Sequence, residues 1–277
     1  TLDGDLDVYQ NNSKYWDLEN ENQDEVAGDL HYCASSFYDM MNDHFDWSGI
    51  DGEGGELITV AHAGGKFLVN AYWDGVRARF GNGDCDRYSP LTTLDIVGHE
   101  FAHGLTDYTS DLVYRNESGA LNESMSDIFG KALEYYYDNA NFNWLIGDRI
   151  RLNEDINVIR SMEDPTVRND AKFYKGDFWW TSTGDNGGVH SNSGVLNHWF
   201  YLLVNGEQGI NEIGESYNIS AVSFDDAMQI VFNMQRVYLT ENSNYYDALM
   251  AAVESAKDLY GENSTQHLSV VEAWNAV

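Results

Sequence analysis

The apolar pattern of this chain changes from strand to sustained helical period near residue 90, and that change constrains the fold more than any other feature of the sequence. Before it lie β-type runs at residues 56–61, 66–73 and 76–80, separated by Gly64-Gly65 and by Asp74-Gly75, the second a hairpin signal. After it, apolar residues recur at helical spacing. Helices are predicted at about 91–106, opened by Pro90, and at 121–137, 194–204, 223–237, 244–260 and 269–277. One earlier amphipathic helix is predicted over 30–45, from Leu30, Cys33, Phe37, Met40, Met41 and Phe45. The acidic opening thirty residues are weakly periodic and read as irregular, with at most one short strand. Strands gathered ahead of helices predict an α+β fold with a small N-terminal β-rich lobe, a mainly helical C-terminal lobe and one helix at their junction. The expected division is 1–108 and 109–277.

Composition narrows the function classes. Of 277 residues, 43% are hydrophobic, enough to bury a sizeable core, and no run approaches the ~18 apolar residues of a membrane span. Forty-six acidic against fifteen basic side chains give a net charge of −31. A surface so negative repels a polyanion, which argues against nucleic acid as a partner. It suits a solubility coat in a salty medium first, and divalent cations or basic substrates second. Two cysteines are too few for a disulfide framework or a four-cysteine zinc site. The first residue is Thr1, as expected of a processed chain with a cleaved pro-region before it.

The junction helix carries His99-Glu100-Phe101-Ala102-His103. Histidines at i and i+4 lie one above the other on a helix, so both imidazoles can reach one ion. Glu100 is rotated off that line and can hold a water without being a ligand. Twenty residues beyond His103, Glu123 opens a second helix and can complete a His₂Glu set with one coordination position left for water, the arrangement of catalytic zinc. Asp127, one turn further, can accept the free N–H of a ligand imidazole. Solvated acids on an acidic protein would explain either carboxylate singly. They do not explain Glu and Asp at i, i+4 on a helix otherwise carrying Leu121, Met125, Ile128 and Phe129.

With these residues the chain resembles the thermolysin-like metallopeptidases, a family of secreted bacterial neutral proteases. The likeness extends through Asn70-Ala71-Tyr72-Trp73, Thr106-Asp107-Tyr108-Thr109, the stretch from Tyr114 to Gly119, the stretch from Gly119 to Asp127, Arg160-Ser161-Met162, the stretch from Asp185 to Gly194 and a C-terminal Ser-Ala-Lys-Asp-Leu-Tyr-Gly, in that order. It implies zinc on His99, His103 and Glu123, with Asp127 behind the ligands and Glu100 as general base. It implies transition-state contacts from Tyr114 and His190, with Asp185 orienting His190. It further implies substrate binding by Arg160, by the edge-strand residues Asn70, Ala71 and Trp73, and by a primed-side pocket of Leu91, Ile96, Ile159 and Tyr88. The implied activity is zinc-dependent hydrolysis of internal bonds in peptide or protein substrates, with a preference for a hydrophobic residue just after the scissile bond, by a secreted monomer.

Three departures accompany the resemblance. Only 98 residues precede His99, fewer than the family usually carries, which predicts a shortened N-terminal sheet. Asp95, Glu134, Asn143 and Asp148 match part of the family's calcium cluster, but Leu145 stands where a carboxylate contributes, so one calcium rather than two is expected, with the Leu145 carbonyl as a candidate ligand. Cys33 and Cys85 match no family feature; an oxidising compartment predicts a disulfide, whose loop closure would contribute roughly 4 kcal/mol. A zinc aminopeptidase and a catalytically silent binding relative are the competing functions. The first would need an acidic anchor near the edge strand, which Asn70 to Trp73 do not offer; every catalytic position is filled, which disfavours the second. The remaining histidines, His31, His44, His62, His198 and His267, have no partner spacing and receive no role.

Overall fold

The computed structural model describes residues 25–277 except 154, 156 and 157. The irregular reading of the opening segment therefore falls, up to residue 24, outside the described residues. Helix α1, Glu25–Phe45, starts earlier than its periodicity suggested and buries the expected stripe from Leu30 to Phe45. Strands β1, Ser48–Gly49, and β2, Glu53–Gly55, pair in parallel. β3 (Thr59–Val60), β4 (Ala71–Trp73) and β5 (Ala78–Phe80) form a sheet in the order β3-β5-β4.

The Asp74-Gly75 signal closes the β4–β5 hairpin, pairing Trp73 with Ala78, with Gly75 at φ 91° as such a turn requires. The predicted strands shrink to two or three residues. Left-handed backbone at His62, Gly64 and Gly65 turns the chain between the first two predicted runs, where the Gly64-Gly65 signal placed the break. Among the described residues, strand β4 stands at the sheet edge.

The helical half follows in chain order. Helices α2 (Leu94–Asp107) and α3 (Asn116–Tyr137) lead, with α3 beginning five residues before its apolar stripe. Short strands β6 (Leu145–Ile146) and β7 (Arg160–Ser161) then pair antiparallel. Helices α4 (Asp185–Asn192) and α5 (Gly194–Asn205) precede a hairpin of β8 (Glu207–Ile210) and β9 (Ser216–Ile219), which the sequence reading missed. Helix α6 (Phe224–Asn233) runs into a π-helical turn at Met234–Tyr238, and α7 (Tyr245–Tyr260) and α8 (Thr265–Ala276) complete the fold. The start of α7 is set by a capping box in which Asn244 and Asp247 satisfy each other's backbone N–H groups. Among the described residues no helix is long and apolar enough to cross a membrane.

Helices α2 and α3 pack at the centre, and Phe101, Leu105, Leu121, Met125, Ile128 and Phe129 are wholly or almost wholly buried around them. Their backbones nearly touch. A Cβ on Gly98 would lie 2.9 Å from the Gly130 Cα, and one on Gly130 would lie 2.3 Å from the Asp95 carbonyl oxygen. Only glycine at both positions permits that approach, and it brings the acidic face of α3 within reach of the histidines on α2.

The expected disulfide is absent: both cysteines are free. Cys33 is buried on the inner face of α1, where its thiol meets the Thr92 carbonyl oxygen at 3.5 Å. Cys85 is exposed, in a turn whose N–H groups converge on the Asp84 carboxylate. Oxidising conditions favour a bridge only between sulfurs that the fold brings together, and here one faces the core and the other faces water. Burial pushes the Cys33 thiol up to about 12, with Asp29 and Asp95 adding to the effect, so it stays protonated and inert.

Candidate active site

Three side chains converge between α2 and α3. His99 Nε2 lies 3.6 Å from Glu123 Oε2, His103 Nε2 lies 3.5 Å from Glu123 Oε1, and the two Nε2 atoms are 3.1 Å apart. All three ligand atoms fall within 4.8 Å of one another.

The surrounding hydrogen bonds fix both imidazole tautomers. Asn122 donates from Nδ2 to the Leu112 carbonyl at 3.0 Å, so its Oδ1 is the atom facing His103 Nδ1 at 2.7 Å. His99 Nδ1 faces Asp127 Oδ1 at 2.8 Å. Each Nδ1 therefore carries the proton, and two bare Nε2 lone pairs point at the same space beside a buried carboxylate oxygen, Glu123 Oε2, that has no hydrogen-bond partner. Such a cluster of acceptors is repulsive until a cation enters it. Two nitrogens and one carboxylate suit zinc with an open coordination position.

Asp127 anchors the arrangement. It is fully buried and accepts from Arg160 Nε and Nη2, both at 2.6 Å, and from Asn197 Nδ2 at 2.8 Å, besides His99. Burial works to raise its pKa, but Arg160 and His99 overcome that and hold Asp127 far below the carboxylate range. In the same way Glu123 is brought down to about 2: burial opposes ionisation, and His99, His103 and Arg160 outweigh it. His103 is lowered to about 4 by burial and by the nearby His99. Burial also opposes charge on His99, yet Asp127 and Glu123 raise its pKa overall.

Protons therefore compete with the metal chiefly at His99. Zinc affinity is expected to fall about tenfold or more between pH 8 and pH 5.5, as the pH drops through a pKa held above the ordinary ~6.5. Competition with a chromogenic chelator at the two pH values measures this; a pH-independent affinity would contradict the geometry.

Glu100 lies beside the cluster, buried on α2, and burial is the main cause that pushes its pKa up to about 7. The Tyr114 hydroxyl donates to Glu123 and lies 3.2 Å from His190 Nε2. His190 Nδ1 meets Asp185 Oδ1 at 2.6 Å, and its backbone N–H donates to Asp185 Oδ2 at 3.0 Å. This bracket rests on left-handed backbone from Asp185 through Gly188. A Cβ on Gly188 would meet the Trp180 side chain at 2.6 Å, so the turn can close against that ring only with glycine there.

Among the expected substrate residues, Asn70 is exposed just before the edge strand β4, and Ala71 begins that strand. Trp73 is tied to α2 by a 2.7 Å hydrogen bond from Nε1 to Asp107. Leu91 and Ile96 are buried in the core, and Ile159 and Tyr88 sit partly exposed at its margin. Arg160 is buried against Asp127 and lies 3.7 Å from Glu123. Sequence reasoning missed Asn122 and Asn197. Asn122 was legible only as the neighbour of Glu123. Asn197, seventy residues from Asp127, had no signal at all.

The expected calcium residues also come together, but around the side chain of Lys131. Its Nζ donates to the Leu145 carbonyl at 3.0 Å and to Glu134.

The sequence model of the thermolysin metallopeptidase catalytic domain matches residues 1–107, and that of the thermolysin metallopeptidase alpha-helical domain matches residues 110–277. The chain belongs to the thermolysin family of metallopeptidases. It is 38% identical over 284 residues to a thermolysin of Bacillus sp. (strain EA1), covering 100% of this chain and 50% of that protein. It is 37% identical over 258 residues to a bacillolysin of Bacillus cereus, covering 92% and 44%. It thus spans about half the length of the curated relatives it matches. The solved structure of the precursor of protealysin, a metalloproteinase from Serratia proteamaculans, superposes with a TM-score of 0.78 at 27% identity, over 93% of this chain and 79% of that one. The α+β architecture and the zinc triad are those of a thermolysin-family fold.

Proposed function

We propose that this chain is a zinc endopeptidase that hydrolyses internal peptide bonds, acting outside the cell. One observation carries the reading: the His99–His103–Glu123 triad opens onto a buried general-base candidate, Glu100, and a hydrogen-bonding pair, Tyr114 and His190. Zinc held by the triad supplies a Lewis acid and acidifies a water toward neutral pH.

The chain's own residues do the rest. Glu100, a buried carboxylate on the helix that carries both ligand histidines, can accept a proton from water and return it to the leaving amine. Tyr114 and His190 stand where they can donate to the oxyanion of the tetrahedral intermediate, and Asp185 holds His190 in register. Among the described residues strand β4 stands at an edge of its sheet, where a peptide can add by backbone hydrogen bonds near Asn70 and Ala71. Such pairing reads backbone and not side chains, which suits broad specificity. The preference for a hydrophobic residue after the scissile bond rests on the family resemblance of Leu91, Ile96, Ile159 and Tyr88. The separate family matches support 1–108 and 109–277 as two lobes meeting at this site.

Cleavage of an internally quenched peptide blocked at both ends tests the reading. Activity abolished by a zinc chelator and restored by zinc is expected, whereas a strict need for a free amino terminus would favour the aminopeptidase. His190→Gln is expected to lower kcat by about 10²–10³ with KM little changed, since its bond strengthens only in the transition state. A selective rise in KM would assign His190 to ground-state binding instead.

A further inference from the structure

We infer that this chain carries its own structural cation: the Lys131 ammonium fills the acidic corner between α3 and residues 143–148 where the family resemblance calls for calcium, so the fold needs no calcium there. Lys131 has no exposed surface, which for lysine requires paired partners. Its Nζ donates to Glu134, one turn along α3, and to the Leu145 carbonyl oxygen at 3.0 Å, and it lies 5.2 Å from the centre of the Phe142 ring. Burial lowers the lysine pKa, and Asp95 and Asp148 act against that loss of charge.

All but one of the side-chain and carbonyl oxygens that calcium would need here already face a donor or a cation. Calcium takes six to eight oxygen ligands. Here Glu134 Oε2 and the Leu145 carbonyl accept from the ammonium, and Glu134 Oε1 lies 3.0 Å from Arg149 Nη2. Asp95 Oδ2 accepts the Gly147 N–H at 2.8 Å, and Asp95 Oδ1 accepts the Ile96 N–H at 2.9 Å and the Thr93 hydroxyl at 2.5 Å. Asn143 turns its amide nitrogen toward Asp148 Oδ2, at 2.8 Å, while its oxygen accepts the Leu145 N–H. Of this set, Asp148 Oδ1 alone is buried with neither a hydrogen-bond nor an ion-pair partner. One oxygen does not make a calcium site, and a divalent ion beside the ammonium would meet a like charge in a poorly solvated space. Lys131 and Arg149 together supply two positive charges against Asp95, Glu134 and Asp148.

The test compares the melting temperature of zinc-loaded protein, cleared of other metals, with and without 10 mM calcium chloride. A site binding calcium near 0.1 mM would raise it by roughly 5–10 °C. The calcium shift is expected to be the same, within about 1 °C, in the unaltered chain and in Asp148→Asn, since this corner contributes nothing to it. A shift several degrees larger in the unaltered chain than in Asp148→Asn would place calcium at this corner and overturn the inference. Lys131→Ala is expected to melt lower, because Glu134 loses its buried partner; a Lys131→Ala protein as stable as the parent would also overturn it. Should that variant fail to fold, the comparison with Asp148→Asn still decides.

Discussion

Replacing Glu100 with glutamine is expected to lower kcat/KM on a blocked peptide by about 10²–10⁴, with one zinc per chain retained. Glutamine keeps the shape of the side chain but cannot take a proton, and Glu100 is not among the three converging ligand side chains. A second readout follows from burial. In the zinc-free protein the Glu100 pKa is pushed up to about 7, so folding works against its ionisation. That penalty is absent below the unfolded pKa near 4.5, grows as the pH rises, and is complete above about 7. Glu100→Gln is therefore expected to be more stable than the parent at pH 8, by roughly 1–3 kcal/mol, and equal to it near pH 4. Undiminished hydrolysis by a zinc-loaded Glu100→Gln protein would remove Glu100 from the mechanism.

The second large effect concerns Arg160. Its guanidinium makes a two-pronged contact with Asp127, and both groups are out of water. Arg160→Met would leave Asp127 charged and buried with, among the described residues, Asn197 and His99 as its hydrogen-bond partners. Breaking a buried pair from one side typically costs about 3–5 kcal/mol. Loss of the same anchor behind a ligand histidine weakens metal binding by about 10–100-fold. Urea unfolding of the zinc-free protein and zinc titration measure the two effects separately. Arg160→Lys is expected to recover only part of either, because an ammonium cannot match the planar fork. By contrast, breaking the exposed surface pair of Lys257 and Glu254 is expected to change stability little. Equal small losses at both positions would refute the central place given to Asp127.

The metal triad was legible because its parts are local. His99 and His103 are one helical turn apart, and so are Glu123 and Asp127, so helical geometry puts each pair on one face before any tertiary contact forms. Apart from α4, which the sequence reading missed, the helices were legible to within about five residues, since sustained periodicity is a strong signal. The lengths of the strands and the β8–β9 hairpin were not, because segments of two to four residues are too short to show a period. The disulfide expectation failed for a related reason: cysteine count and compartment carry no information about which way Cys33 faces on α1.

Taken alone, the order of residues determined the architecture class, the metal-ligand set and the acidic surface. Each follows from spacing along one element or from composition. Tertiary structure decided that Asn122 fixes the His103 tautomer, that Arg160 secures Asp127, and that Lys131 stands among carboxylates as a cation. Those facts depend on which distant groups share a space without water. Two facing glycines, Gly98 and Gly130, set how closely the central helices approach, and that approach decides how strongly the buried charges act on one another.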